Sequence, residues 1–219
     1  MRERLTGSRL YLCTADRPDL AEFVEAVCAA GVDIVQLRDK ELPARLLLER
    51  AALARDAAHA HGALFVLNDR PDLALACDAD GVHVGQDDAP PWLCRRILGE
   101  DKLVGLSTHA SDELTAALSE PVDYVSVGPV EPTPTKPGRP GTGLAYVREA
   151  AGILERPGAI SAPGRSKKPS LPFFVTGGIS PATLPAVAEA GATRFVVVRA
   201  LTEAPDPAAV VKELLALLA

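Results

Sequence analysis

Residues 34–69 read IVQLRDKELPARLLLERAALARDAAHAHGALFVLND. Two short runs rich in Ile, Val, Leu and Phe, at 34–39 and 64–69, enclose an Ala/Leu/Arg helical pattern over 42–61. This is one strand–helix–strand unit, and it recurs. Strand patterns fall at 9–14, 34–39, 64–69, 81–86, 104–108, 124–128, 173–178 and 194–200. Helical patterns lie near 18–30, 42–61, 90–98, 111–119, 143–154, 181–190 and 207–218, with a short turn of helix at 71–76. Eight βα units in 219 residues predict an α/β fold, a (β/α)8 TIM barrel over 1–219, with a doubly wound open sheet as the alternative.

Composition fits a closed α/β core. The chain is 47% hydrophobic and 24% charged, but only 4% aromatic, so Ala, Val and Leu must fill the interior. Few aromatics and a net charge of -6 argue against nucleic acid as a partner. The opening residues MRERLTG lead into no apolar targeting segment and no run is long enough to span a bilayer, so neither secretion nor membrane insertion is expected. Cys13, Cys28, Cys77 and Cys94 show no C-x-x-C pair and read as buried free thiols of a reducing cytoplasm. The Pro/Gly/basic stretch at 155–172 separates a helix from a strand and is expected to be a flexible loop on the face opposite the active site.

In such a barrel the chemistry sits at the C-terminal ends of strands, and the polar residues collect there. The second strand ends Gln36-Leu37-Arg38-Asp39-Lys40, and the period of two sends Gln36, Arg38 and Lys40 to one side. These cations either neutralise a pyrophosphate or pair with Asp39, Glu41 or Asp69. Asp69 and Asp88 end neighbouring strands and suit a hard ion such as Mg²⁺, although Asp88, shortly before Pro90-Pro91, also fits a helix cap. His83 reads as either a hydrogen-bonded core residue or a catalytic one, while His59 and His61 read as charge complements at a helix end. Ser107 and Thr108 either bond a phosphate or cap the helix near Ser111.

Three further stretches point to phosphate. Thr133-Pro134-Thr135-Lys136 sets two hydroxyls and an ammonium in a stiffened loop, whose bland alternative is a Pro/Gly surface turn. Thr176-Gly177-Gly178 opens the backbone to a ligand, and Val198-Arg199 ends the last strand. The loops after strands seven and eight hold phosphate in many barrels.

The chain resembles the thiamine phosphate synthase family through QLRDK at 36–40, NDRPDLALA at 68–76, DADGVHVGQDD at 78–88, GLSTH at 105–109, DYVSVGPVEPTPTK at 123–136, TGGIS at 176–180 and VVVRA at 196–200. The resemblance implies a barrel that joins a hydroxymethylpyrimidine diphosphate to a thiazole phosphate and releases pyrophosphate with Mg²⁺. By motif, Gln36, Arg38, Lys40, Asn68, Ser107 and Lys136 would hold the pyrimidine diphosphate, and Asp69 and Asp88 the Mg²⁺. Arg38, Lys40, Ser107 and Lys136 would carry the catalysis. Thr133, Thr135, Gly178, Val198 and Arg199 would hold the thiazole phosphate. Arg199 stands where the family often has serine. The partners implied are small phosphorylated molecules, with a homo-oligomer left open. A thiazole tautomerase of the same fold is the nearest rival, and a non-catalytic sensor of a thiamine precursor the more distant one.

Overall fold

The computed structural model describes residues 1–132, 140–154 and 171–219. Its eight strands are β1 (Leu10–Thr14), β2 (Ile34–Leu37), β3 (Leu64–Asn68), β4 (Gly81–Val84), β5 (Leu103–Thr108), β6 (Tyr124–Val127), β7 (Phe173–Val175) and β8 (Phe195–Val197). They pair in parallel in sequence order and close between β8 and β1, where Leu10 lies opposite Phe195. The TIM barrel expected from the alternating pattern is therefore the fold, and the open sheet is excluded.

The helices are α1 (Arg2–Gly7), α2 (Leu20–Ala30), α3 (Ala44–Ala60), α4 (Pro71–Ala76), α5 (Pro91–Leu98), α6 (Ser111–Ala117), α7 (Gly143–Leu154), α8 (Leu184–Glu189), α9 (Arg199–Thr202) and α10 (Pro207–Ala216). Two of them differ from the sequence pattern. Helix α1 is too short to show a periodicity, yet it buries Leu5 against the inward-facing residues of the barrel. Helix α9 corrects the expected strand over 194–200. The chain leaves the sheet at Val197, and the Val198 carbonyl accepts from the N–H groups of Leu201 and Thr202, both at 2.9 Å. Val198 and Arg199 therefore turn into a helix, and a run of β-branched residues alone could not reveal that.

Strand alternation divides the core in two. Outward positions such as Val35, Leu37, Phe65, Leu67 and Val82 pack under the helices, while Ile34, Leu64, Val66, Leu103, Tyr124, Phe174 and Val196 point inward. Burying one such large side chain contributes about 1.5–3 kcal/mol. Tyr11, Tyr124 and Phe174 fill the barrel's middle, Phe174 meeting the two tyrosines edge-on at 5.4 and 5.6 Å between ring centroids. Following the same inward parity toward the C-terminal end, the side chains turn polar: Gln36, Asn68, His83, Ser107 and Ser126, all buried.

The opposite end carries a repeated latch. Asp33, Asp80 and Asp123 immediately precede β2, β4 and β6, and each carboxylate accepts an N–H from the first two residues of the preceding strand: Leu10 at 2.9 Å, Phe65 at 2.7 Å and Val104 at 2.8 Å. Asp123 is also paired with Arg95 at 2.6 Å and Arg2 at 2.8 Å. His59 bonds Asp80 at 2.8 Å, so its partner is a side chain as well as a helix end. His61 is the residue that closes α3. All four cysteines are buried thiols outside any disulfide, as the sequence implied. Among the described residues, no helix is long and apolar enough to cross a membrane. Most of the 155–172 stretch lies outside the described residues.

Candidate active site

The inward polar residues line a cavity of 400 Å³ at the C-terminal mouth. Gln36 and Arg38 from the end of β2, Asn68 from β3, His83 from β4 and Ser107 from β5 make one side. Thr176, Gly177 and Gly178 after β7, with Val198 and Arg199 after β8, make the other. Of the residues singled out by sequence, Gln36, Arg38, Asn68, Ser107, Gly178, Val198 and Arg199 are thus brought together. Thr133, Thr135 and Lys136 lie outside the described residues.

Lys40 departs from the expected alternation. Strand β2 ends at Leu37, so the period of two no longer governs the side chain three residues on. Lys40 instead projects over the rim, where its ammonium lies 2.7 Å from Asp69 and 4.0 Å from Asp88. The ion pair with Asp69, one of the alternatives open in the sequence, is therefore formed. Asp69 is aimed there by an uncommon backbone conformation, φ 60°, with its N–H held by the His83 carbonyl at 2.9 Å.

Asp88 is no helix cap. Helix α5 begins at Pro91 with Pro90 as its cap residue, and the Asp88 carboxylate accepts from the Gly85 N–H at 2.8 Å, folding back toward Asp69. Partial burial raises the Asp69 carboxyl above the usual range, and the neighbouring Asp88 carboxylate adds to this against the pull of Lys40. Burial acts on Asp88 in the same direction, but hydrogen bonds from Asp69 and the Gly85 N–H, with the charges of Lys40 and Arg38, bring it below that range. Two carboxylates sharing a site with one ammonium form an oxygen-donor set completed by a cation. Among the described residues no third His, Cys, Asp or Glu joins them. That suits Mg²⁺, which takes one or two carboxylates and fills its shell with water and phosphate oxygens. The donor set therefore fits the ion, with the Lys40 ammonium standing where a cation is wanted.

Ser107 also resolves. It lies within β5, and its Oγ is 2.9 Å from His83 Nε2, while α6 starts after Ala110 without a side-chain cap. Thr108 faces the other way and donates to the Ser126 carbonyl at 3.0 Å. His83 is both a buried hydrogen-bonded residue and a wall of the cavity.

Sequence reading missed several wall residues. Tyr11 and Ser126 share the inward parity of residues it did identify, and that parity was the available signal. Glu131 had none. Its carboxylate lies over Gly178, so close that a Cβ there would be 2.4 Å from Oε2. Gly177, at φ 98°, is required by packing: a Cβ would lie 2.5 Å from Pro129 Cβ.

With this geometry the comparisons are informative. The profile for thiamine monophosphate synthase matches residues 10–201. The chain belongs to the thiamine monophosphate synthase family. A protein of Mycolicibacterium vanbaalenii named thiamine-phosphate synthase is 49% identical over 232 residues, covering 100% of this chain and 98% of its own. A thiamine-phosphate synthase of Thermobifida fusca is 50% identical over 219 residues, covering 98% of this chain and 94% of its own. Among solved structures, thiamine phosphate pyrophosphorylase from Pyrococcus furiosus superposes with a TM-score of 0.80 at 28% identity, covering 99% of this chain and 96% of that one. Family membership spans the whole barrel, the walls of the mouth included.

Proposed function

We propose that this mouth condenses 4-amino-2-methyl-5-hydroxymethylpyrimidine diphosphate with 4-methyl-5-(2-phosphooxyethyl)thiazole, or its carboxylated form, giving thiamine phosphate and pyrophosphate. The chain is a transferase of the synthase family. The observation that carries the reading is the juxtaposition of a rim with opposed charges, Arg38 and Lys40 against Asp69 and Asp88, and a cavity walled by the uncharged donors Gln36, Asn68 and Ser107.

A diphosphate seated at the rim meets Arg38 and Lys40, with Lys136 following by motif. Asp69 and Asp88 would hold Mg²⁺, whose chemistry there is to offset charge on the leaving pyrophosphate. Gln36, Asn68 and Ser107 orient the pyrimidine by hydrogen bonds, which fixes its methylene toward the Gly177–Gly178 wall and the thiazole. The electron-rich aminopyrimidine supports cationic character at that methylene as the C–O bond breaks, and the thiazole nitrogen then forms the new C–N bond. No protein nucleophile is needed, and Cys13, the thiol on the wall, donates to Gln36 Oε1 at 3.4 Å. Gly178, Val198 and Arg199 hold the thiazole phosphate, with Arg199 able to replace a serine contact by a charged one.

Incubation of purified protein with both substrates and Mg²⁺ tests this directly. Thiamine phosphate and pyrophosphate are expected in equal amounts, and their loss on adding excess chelator. Binding of the thiazole phosphate without product would point to the tautomerase or the sensor.

A further inference from the structure

The cavity floor contains a chain of hydrogen bonds that the proposed chemistry leaves unused. Gln36 Nε2 donates to the Tyr11 hydroxyl at 2.6 Å, and that hydroxyl lies 3.0 Å from the hydroxyl of Tyr124. The Tyr124 hydroxyl is 3.1 Å from His83 Nδ1, and His83 Nε2 is 2.9 Å from Ser107 Oγ. Gln36 and Ser107, which the proposed function gives to the pyrimidine, are thus the two ends of one buried relay from β2 to β5.

Proton counting gives the relay a direction. Each phenol has one proton. The Tyr11 oxygen accepts from Gln36, so its own proton needs an acceptor within a side chain only 2% exposed, and the Tyr124 oxygen is the acceptor it meets. The proton of Tyr124 then goes to His83 Nδ1. A neutral imidazole that accepts at Nδ1 carries its proton on Nε2 and donates it to Ser107 Oγ. The reverse order would leave the buried Tyr11 proton without an acceptor. Burial raises both phenols above their ordinary value, so both remain donors at neutral pH. Ser126 Oγ donates to Ser107 Oγ as well, at 3.3 Å. The chain makes room for this contact by omitting a side chain: a Cβ on Gly105 would lie 2.2 Å from Tyr124 Cζ and 2.5 Å from His83 Nδ1.

We infer that Tyr124 is a positioning residue: it holds His83 as the Nε2–H tautomer, which makes Ser107 Oγ an acceptor toward His83 and turns the serine proton outward as a donor to a ring nitrogen of the pyrimidine. The inference rests on the proposed pyrimidine site, and its test separates the two. Protein labelled with ¹⁵N-histidine reports the tautomer of each ring by NMR, and His83→Gln identifies the signals. The Nε2–H form is expected for His83 in the wild type. Tyr124→Phe shifts it toward Nδ1–H, whereas Tyr11→Phe preserves it, because Tyr124 still donates to Nδ1. In parallel, Tyr124→Phe raises KM for the pyrimidine diphosphate about tenfold, the size of one lost hydrogen bond, and leaves KM for the thiazole phosphate unchanged.

An Nδ1–H ring in the wild type would overturn the inference. So would an unaltered tautomer in Tyr124→Phe, or an altered one with unchanged pyrimidine KM. If Tyr124→Phe does not fold, the wild type and Tyr11→Phe still decide the direction of the relay. Absence of turnover in the wild type would refute the proposed function instead, while the imidazole signals continue to judge the relay.

Discussion

Aspartates at the two ends of this barrel have opposite surroundings. At the N-terminal end Asp33, Asp80 and Asp123 each accept a main-chain N–H at the start of a neighbouring strand, and Asp123 is further held by Arg95 and Arg2. Their lone pairs are spent within the protein. At the mouth, among the described residues, Asp69 and Asp88 face each other across one exposed ammonium, with a single main-chain donor, Gly85, on Asp88. A carboxylate surrounded by its own protein's donors is part of the scaffold. Two that must share one cation are arranged for something else to arrive.

The largest expected effect that would break this contrast is at the scaffold end. Asp123→Ala removes the carboxylate that balances buried Arg95, which keeps only main-chain carbonyls, and leaves the Val104 N–H without its acceptor, so a loss of about 3–5 kcal/mol is expected, with turnover per folded molecule retained. Thermal denaturation with activity corrected for folded fraction checks both halves. At the mouth the order inverts: Asp69→Asn should lower turnover on the order of 10²-fold while melting temperature holds or rises, because the mutual repulsion of two carboxylates is relieved. Equal activity in that variant would count heavily against the proposed site.

Two smaller effects sharpen the contrast. Excess chelator should stop product formation without moving the thermal transition, since Lys40 already balances the pair; a large drop in melting temperature would make the ion structural. Glu131→Gln should tighten binding of the thiazole phosphate a few-fold, about 1 kcal/mol or less, by removing a negative charge beside Gly178, as titration calorimetry would read. The smallest chemical response is expected from the thiols. Burial pushes Cys28 up to about 12 and Cys94 up to about 11, so alkylation of the native protein at pH 8 should be slow and should accelerate only on unfolding.

Much of the mouth was legible because strand parity propagates. Once 34–39 reads as a strand, Gln36 and Arg38 must share a side, and both do line the cavity. The same rule failed at Lys40 because β2 stops at Leu37, and loop geometry, absent from the pattern, carries the side chain to the rim. Asp88 was ambiguous for a related reason. An Asp before two prolines suits a cap, and only the turn back to the Gly85 N–H shows otherwise. The latch aspartates were visible as an Asp before β2, β4 and β6 but carry no local energetic signature, since their partners lie on the preceding strand.

The sequence by itself determined the barrel and the chemistry of its mouth. Eight alternations of strand and helix leave few ways to bury both faces of a parallel sheet, and period-two alternation assigns each strand residue to a face. Tertiary structure alone decided how the polar residues are joined. The relay from Gln36 through Tyr11, Tyr124 and His83 to Ser107 links five strands across the barrel interior. Hydrogen bonds between residues far apart in the chain depend on sheet closure and on the space left at Gly105, and neither is written in any local pattern.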